Sequence, residues 1–236
     1  LYKLYIEDVL EGLKKLNQHS VDLVITDPPY GILKDGKTGW GLKYKPAEWD
    51  VFKSEESFKE FTSKWFQLLK TKVKPDSFIF IFWSQKYLSI GYEIFKPDRM
   101  LVWRYNNLVN SPKGDFSYDY GPIFVIKVGS PKLQKSCRSV LEFAKPQSNF
   151  RKDRAIYPTQ KPRALISYLM DVVGLKKGVV LDCFQGSGVV GEQAVLKGLD
   201  YIGIDSSEDS RAASEKLLSE AISQVNQLSV FDIIDQ

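Results

Sequence analysis

Short apolar runs alternate along the chain with stretches in which apolar residues recur every three or four positions. The runs at 1–6, 21–26, 77–83, 100–105, 122–128, 179–182 and 201–205 are compact enough to be strands. Between them, residues 56–72 carry Phe58, Phe61, Trp65, Phe66 and Leu69 at helical spacing. Residues 9–16, 87–95, 163–173, 188–196 and 208–225 also read as helices. Strands alternating with helices predict an α/β fold, here a mostly parallel seven-stranded sheet with helices on both faces.

Two stretches break the pattern. Residues 31–49 hold four glycines and little periodicity, which marks a loop. From 129 to 157 the periodicity fades, and residues 127–154 contain eight Lys or Arg against two Asp or Glu. At the end, residues 228–236 are apolar at Val230, Phe231, Ile233 and Ile234, a pattern suited to docking on the body or on a second subunit.

Composition refines this picture. The 236 residues fit a single domain, 1–236, large enough to bury a substantial core. A content of 43% hydrophobic and 26% charged residues argues against gross disorder. The apolar runs are too short to span a bilayer, and Glu7, Asp8 and Glu11 interrupt any leader-like segment. Cys137, Cys183 and the single histidine, His19, lack metal-site spacing, so no metal is expected; a reducing, cytoplasmic setting is the default. His19 sits between Asn17 and Ser20, where a solvated turn is expected. The net charge of +4 points only weakly to an anionic partner, and its distribution says more. Lys34, Lys37, Lys43 and Lys45 share the glycine-rich loop, and Arg138, Arg151 and Lys152 lie in the basic stretch. These are the candidate phosphate contacts, and they make 31–49 and 129–153 the segments expected to touch a nucleic acid.

Two strand ends carry the chemistry, as ligands of open α/β sheets bind beyond the carboxyl ends of strands. The strand at 179–182 runs through Asp182-Cys183-Phe184-Gln185-Gly186-Ser187-Gly188 into a helix. Its glycines permit a tight turn and close approach of a ligand to the backbone. About twenty residues later another strand ends in Asp205, an acid suited to ribose hydroxyls. This is a nucleoside-binding arrangement, and the letters Gly186-Ser187-Gly188-Val189-Val190-Gly191 leave a nicotinamide dinucleotide open as well. The second strand end, Asp27-Pro28-Pro29-Tyr30, is more specific. Two prolines do not belong in a buried strand; they set a rigid extended turn and leave carbonyls outward. The Asp27 carboxylate and Pro28 carbonyl form paired acceptors beside the ring of Tyr30. An amino group on a flat heteroaromatic ring matches that set, with two N–H donors and a face for stacking.

Asp27-Pro28-Pro29-Tyr30 ahead of Phe184-Gln185-Gly186-Ser187-Gly188 resembles the DNA amino-methyltransferases in their permuted, β-class motif order. Tyr157-Pro158-Thr159-Gln160-Lys161-Pro162 is similar to that family's segment before the cofactor strand, usually His-Pro-Thr-Gln-Lys-Pro, and Tyr5-Ile6-Glu7-Asp8 to its N-terminal acid. Cys183, Val189 and Tyr157 depart from the family's usual Pro, Thr and His. The resemblance implies a Rossmann-like methyltransferase fold, S-adenosylmethionine as methyl donor and DNA as partner. It places Asp8 near the donor's adenine and Asp205 on its ribose. Phe184, Gly186, Ser187 and Gly188 follow the methionine part, Thr159, Gln160 and Lys161 complete the wall, and Asp182 holds the turn. Asp27, Pro28, Pro29 and Tyr30 become the catalytic group, with Asp27 also facing the donor.

Those residues suit methylation of an exocyclic nitrogen on a base flipped out of the duplex. Asp at the first motif position leans the expectation to adenine N6 over cytosine N4. Methylation at cytosine C5 is disfavoured, because neither Cys137 nor Cys183 follows a proline as the thiolate nucleophile of that reaction typically does. A catalytically silent DNA-binding subunit of the same fold, or a nicotinamide dehydrogenase, are the readings from other classes. The second of these leaves Asp27-Pro28-Pro29-Tyr30 unexplained. With little chain available for reading sequence, a short recognition site, loose specificity, or a homodimer or second recognition subunit is expected.

Overall fold

The computed structural model describes residues 1–30, 52–107, 119–146 and 160–234, with side chains up to 227. The chain order is β1 (Tyr2–Ile6), α1 (Val9–Lys14), β2 (Val21–Thr26), α2 (Glu55–Lys70), β3 (Val73–Phe82), α3 (Leu88–Phe95), β4 (Arg99–Arg104) and β5 (Tyr120–Val128). It continues with β6 (Val140–Glu142), α4 (Arg163–Val173), β7 (Val179–Asp182), α5 (Val189–Leu196), β8 (Asp200–Asp205) and α6 (Glu208–Ile234). One sheet holds all these strands in the order β1-β8-β7-β2-β3-β5-β4-β6. Only β5 runs antiparallel to its neighbours.

The sheet has eight strands among the described residues, not the seven predicted. The additional strand is β6, three residues paired with β4 in which only Leu141 is buried, so no apolar run announces it. Likewise, α6 continues through Ile234, absorbing most of the apolar tail into a helix.

Side-chain alternation divides the core into two layers. Leu23, Ile25, Phe78, Phe80 and Phe82 face α4, α5 and α6, meeting Ile166, Leu169, Val190 and Leu218. Val24, Ile79 and Ile81 face the opposite way, onto Leu13 of α1, Trp65 and Phe66 of α2 and Phe95 of α3. Covering both faces explains why β2 and β3 read as continuous apolar runs rather than alternating ones. Helix α2 begins at a capping box in which Ser54 and Ser57 each bond the other's backbone N–H at 3.1–3.2 Å. Glu55 and Glu56 in its first turn and Lys70 in its last complement the helix dipole.

Strand register positions the site. Ile6 pairs with Asp205, Asp182 with Gly203, Val24 with Leu181 and Thr26 with Ile81, so the carboxyl ends of β1, β8, β7, β2 and β3 share one edge. The neighbours β7 and β2 are far apart in sequence, and a crevice opens beyond their ends.

Candidate active site

Beyond that edge lies a cavity of about 280 Å³ that gathers the two strand-end motifs. Asp8, Asp27, Pro29, Gln160, Lys161, Asp182, Phe184, Gly186, Ser187 and Asp205 all line it. Pro28, Tyr30 and Gly188 are not among the residues that line it. Thr159, Lys34, Lys37, Lys43, Lys45, Arg151 and Lys152 lie outside the described residues, as does the loop 31–49. Arg138 is exposed and lines a separate shallow concavity with Phe143 and Tyr168.

A threonine that the sequence reading passed over ties the motifs together. The buried Thr26 Oγ1 donates to Asp182 Oδ1 at 2.8 Å and accepts from the Cys183 N–H at 3.1 Å. Asp182 Oδ1 also accepts from the Phe184 N–H at 3.1 Å, which shapes the turn after β7. Burial pushes the Asp182 carboxyl up to about 7, with the carboxylates of Asp27 and Asp205 adding to the rise and the Thr26 and Phe184 donors opposing it.

The glycine turn is held from both ends. Gly186 (φ +47°) donates its N–H to Asp205 Oδ2 at 2.9 Å, while Asp205 Oδ1 accepts from the Ser207 N–H at 2.9 Å. The Gly186 carbonyl accepts from Ser210 Oγ at 2.7 Å and Ser214 Oγ at 3.3 Å, so two serines of α6 clamp the turn. At Gly188 (φ +81°) a Cβ would stand 2.7 Å from Ser214 Cα. Glycine there serves both backbone conformation and the contact of the turn with α6. Asp8 caps α1 through the Leu10 N–H at 2.8 Å and still reaches the cavity. These serines carried no sequence signal, since nothing local shows which turn a helix serine will face.

Asp27 is the most contested group. Its Oδ1 accepts from the Tyr30 hydroxyl and its Oδ2 pairs with Lys161 Nζ. The Tyr30 ring meets Trp83 edge-on at 6.0 Å, and Trp83 stacks on Phe58 at 5.7 Å. Trp83 therefore joins the sheet core to the rim of the site. A further ion pair, Arg163 Nε to Glu192 at 2.7–2.9 Å, pins the start of α4 to α5 just after Lys161. Cys183 is fully buried, and burial, helped by Asp182, pushes its thiol well above the usual range. Both effects disfavour a thiolate there.

Residues 21–216 match the family of N6/N4 methyltransferases described as DNA methylase. The chain belongs to this family and is an enzyme of the class that methylates adenine N6 or cytosine N4. It is 29% identical to the type II methyltransferase M.HpaI of Haemophilus parainfluenzae, covering 99% of this chain and 77% of that protein. It is 26% identical to the type II methyltransferase M2.DpnII of Streptococcus pneumoniae, covering 93% and 90%. Among solved structures it resembles M1.HpyAVI in complex with SAM (TM-score 0.68, 21% identity, 92% and 99% coverage). It also resembles the cytosine-N4-specific PvuII DNA methyltransferase (TM-score 0.70, 18% identity, 92% and 86% coverage). These likenesses confirm the Rossmann-like methyltransferase fold. Among the described residues no helix is long and apolar enough to cross a membrane.

Proposed function

We propose that this enzyme transfers the methyl group of S-adenosylmethionine to N6 of an adenine flipped out of DNA. The observation that carries the reading is the convergence of Asp27 and the clamped glycine turn on one cavity. The cavity suits the donor. Among the described residues its wall carries the acids Glu7, Asp8, Asp27, Asp182 and Asp205 against one ammonium, Lys161, a balance favourable to a sulfonium cation. Phe52, Phe61 and Phe184 supply apolar walls. Asp8 and Asp205 would hold the nucleoside part, and Ser187 with the turn backbone the methionine part. Bound there, S-adenosylmethionine supplies an activated methyl group for direct transfer.

The protein's own task is to hold the acceptor nitrogen. An exocyclic amine is a poor nucleophile because its lone pair is delocalised into the ring. Asp27 and the Pro28 carbonyl would accept hydrogen bonds from its two N–H groups and draw the nitrogen toward tetrahedral geometry. For this the amine replaces the Tyr30 hydroxyl as the partner of Asp27 Oδ1, and the freed Tyr30 ring turns to stack on the base. As the N–C bond forms and the S–C bond breaks to a neutral thioether, the methylated nitrogen sheds its extra proton to Asp27 or solvent. Preorganised acceptors and positioning then supply the catalysis, with no covalent enzyme intermediate. Lys34, Lys37, Lys43 and Lys45 of 31–49, with Arg138, Arg151 and Lys152 of the basic stretch, would contact the DNA backbone.

Labelled S-adenosylmethionine and unmethylated genomic DNA, followed by nucleoside mass spectrometry, test the reading. N6-methyladenine is the expected product; N4-methylcytosine would transfer the same geometry to the other base. Asp27→Ala should lower transfer roughly a thousandfold while donor binding survives. Full transfer by that variant would remove the basis of the proposal.

A further inference from the structure

Beyond the carboxyl ends of β4 and β6 the chain builds a second polar platform. The Asn107 amide spans both backbone groups of Lys145: its Nδ2 donates to the carbonyl at 2.8 Å and its Oδ1 accepts from the N–H at 2.9 Å. Tyr105 is held in turn by its hydroxyl, which donates at 2.9 Å to the Tyr120 carbonyl, and that carbonyl also accepts from Gln85 Nε2. Over the Tyr105 ring, 3.9 Å from its centre, sits Lys145 Nζ. The ammonium group thus rests on a fixed ring and hangs from a clamped backbone.

Of the carboxylates nearby, Asp119 acts on the Tyr105 hydroxyl, whose ionisation it opposes, and two others are engaged in ion pairs. Glu142 pairs with Arg104 at 2.9 Å and Asp27 with Lys161. Lys145 makes no ion pair among the described residues; the charge that acts on it is the like charge of Lys161. Burial pushes the Lys145 ammonium down to about 8, and repulsion from Lys161 adds to the fall. A half-buried cation facing a second cation is unfavourable on its own and is relieved when an anion arrives. Lys145 does not line the Asp27 cavity, so that anion is not the cavity's ligand. It does stand on the same edge of the sheet, within electrostatic reach of the ammonium paired to Asp27.

We propose that Lys145 binds a phosphodiester of the DNA strand carrying the target base, at the mouth of the Asp27 site. The inference rests on the reading that this strand enters beside Asp27. Phosphate contacts set register and orientation, so Lys145 would help seat the target nucleotide rather than read its identity. Phosphodiester and ammonium neutralise one another, and the Tyr105 ring keeps the long side chain from wandering.

Equilibrium binding to unmethylated duplex DNA across a series of salt concentrations tests this with Lys145→Met and Lys145→Arg. Methionine keeps a stem to cover Tyr105 and removes only the charge. The Met variant should bind DNA roughly tenfold more weakly, and its log–log salt slope should be shallower by about 0.9. The Arg variant should stay near wild type in both, and donor binding should be unchanged in all three proteins. A Met variant with wild-type affinity and slope would overturn the proposal, as would an Arg variant as weak as Met. Because these readouts need no turnover, they stand apart from the methylated-product analysis, whose failure would count against the methyl-transfer reading instead.

Discussion

The half of the sheet made of β1, β8, β7 and β2 is wholly parallel, and each of its strands ends in an acid or within two residues of one: Asp8, Asp205, Asp182 and Asp27. The other half, β3, β5, β4 and β6, contains the antiparallel strand, and beyond the ends of β3, β4 and β6 follow Trp83, Tyr105 and Lys145. In the first half, Asp8, Asp182 and Asp205 are each tied to a backbone N–H, so their positions are set before any ligand arrives. In the second, aromatic rings carry the polar groups. On the proposed reading a cationic donor and an anionic polymer meet at one nitrogen, and the two halves would divide that work by sign of charge.

Lesions in the acidic half should reach stability and donor binding together, whereas those in the aromatic half should reach DNA first. The largest effect is expected for Gly188→Ala, because its φ of +81° and the 2.7 Å approach to Ser214 Cα leave no room for a methyl group. A loss of about 3 kcal/mol in urea unfolding, together with weaker donor binding, is expected from overpacking plus left-handed strain. An unchanged denaturation midpoint would show that α6 gives way easily. Next comes Thr26→Val, which removes one of the two donors to Asp182 and the acceptor of the Cys183 N–H and should cost about 2 kcal/mol.

Asp182→Asn probes the same half through pH. Folding raises this carboxyl from 3.8 to about 7, so between those values the folded state binds the proton that the unfolded state has released. Its contribution is therefore fully present below about 3.8, is lost progressively as pH rises toward about 7, and is gone above that value. Asparagine, which cannot ionise, should flatten that decline, giving a stability gain over wild type larger at pH 8 than at pH 5, on the order of 1–2 kcal/mol. A gain independent of pH would place the ionisation elsewhere. The smallest effect is expected for Asn107→Ala in the aromatic half. It unclamps Lys145 at a cost of about 1 kcal/mol, lowers DNA affinity and leaves donor affinity as it was. Loss of donor binding there would erase the distinction between the halves.

The strands and helices were largely legible because their signals are periodic and local. The exceptions follow physically: β6 is too short and half exposed to form an apolar run, and no pattern marks where α6 stops. Asp27, Asp182, Asp205 and the glycines were legible as well, since an acid or a glycine at a strand end is odd enough to stand out. Thr26, Ser210, Ser214 and Asn107 were not. Polar residues of these types are common, and only the partner distinguishes a clamp from a surface residue.

The sequence by itself determined the alternation of strand and helix, the two strand-end motifs and their order along the chain. Proline, glycine and apolar spacing act on neighbouring residues, so these features are written locally. The tertiary structure alone decided which groups meet: Thr26 with Asp182 across 156 residues, Lys161 with Asp27 across 134, and Asn107 with Lys145 across 38. Those meetings depend on strand order and register, set by how both faces of the sheet are covered at once, and no short window of sequence contains that information.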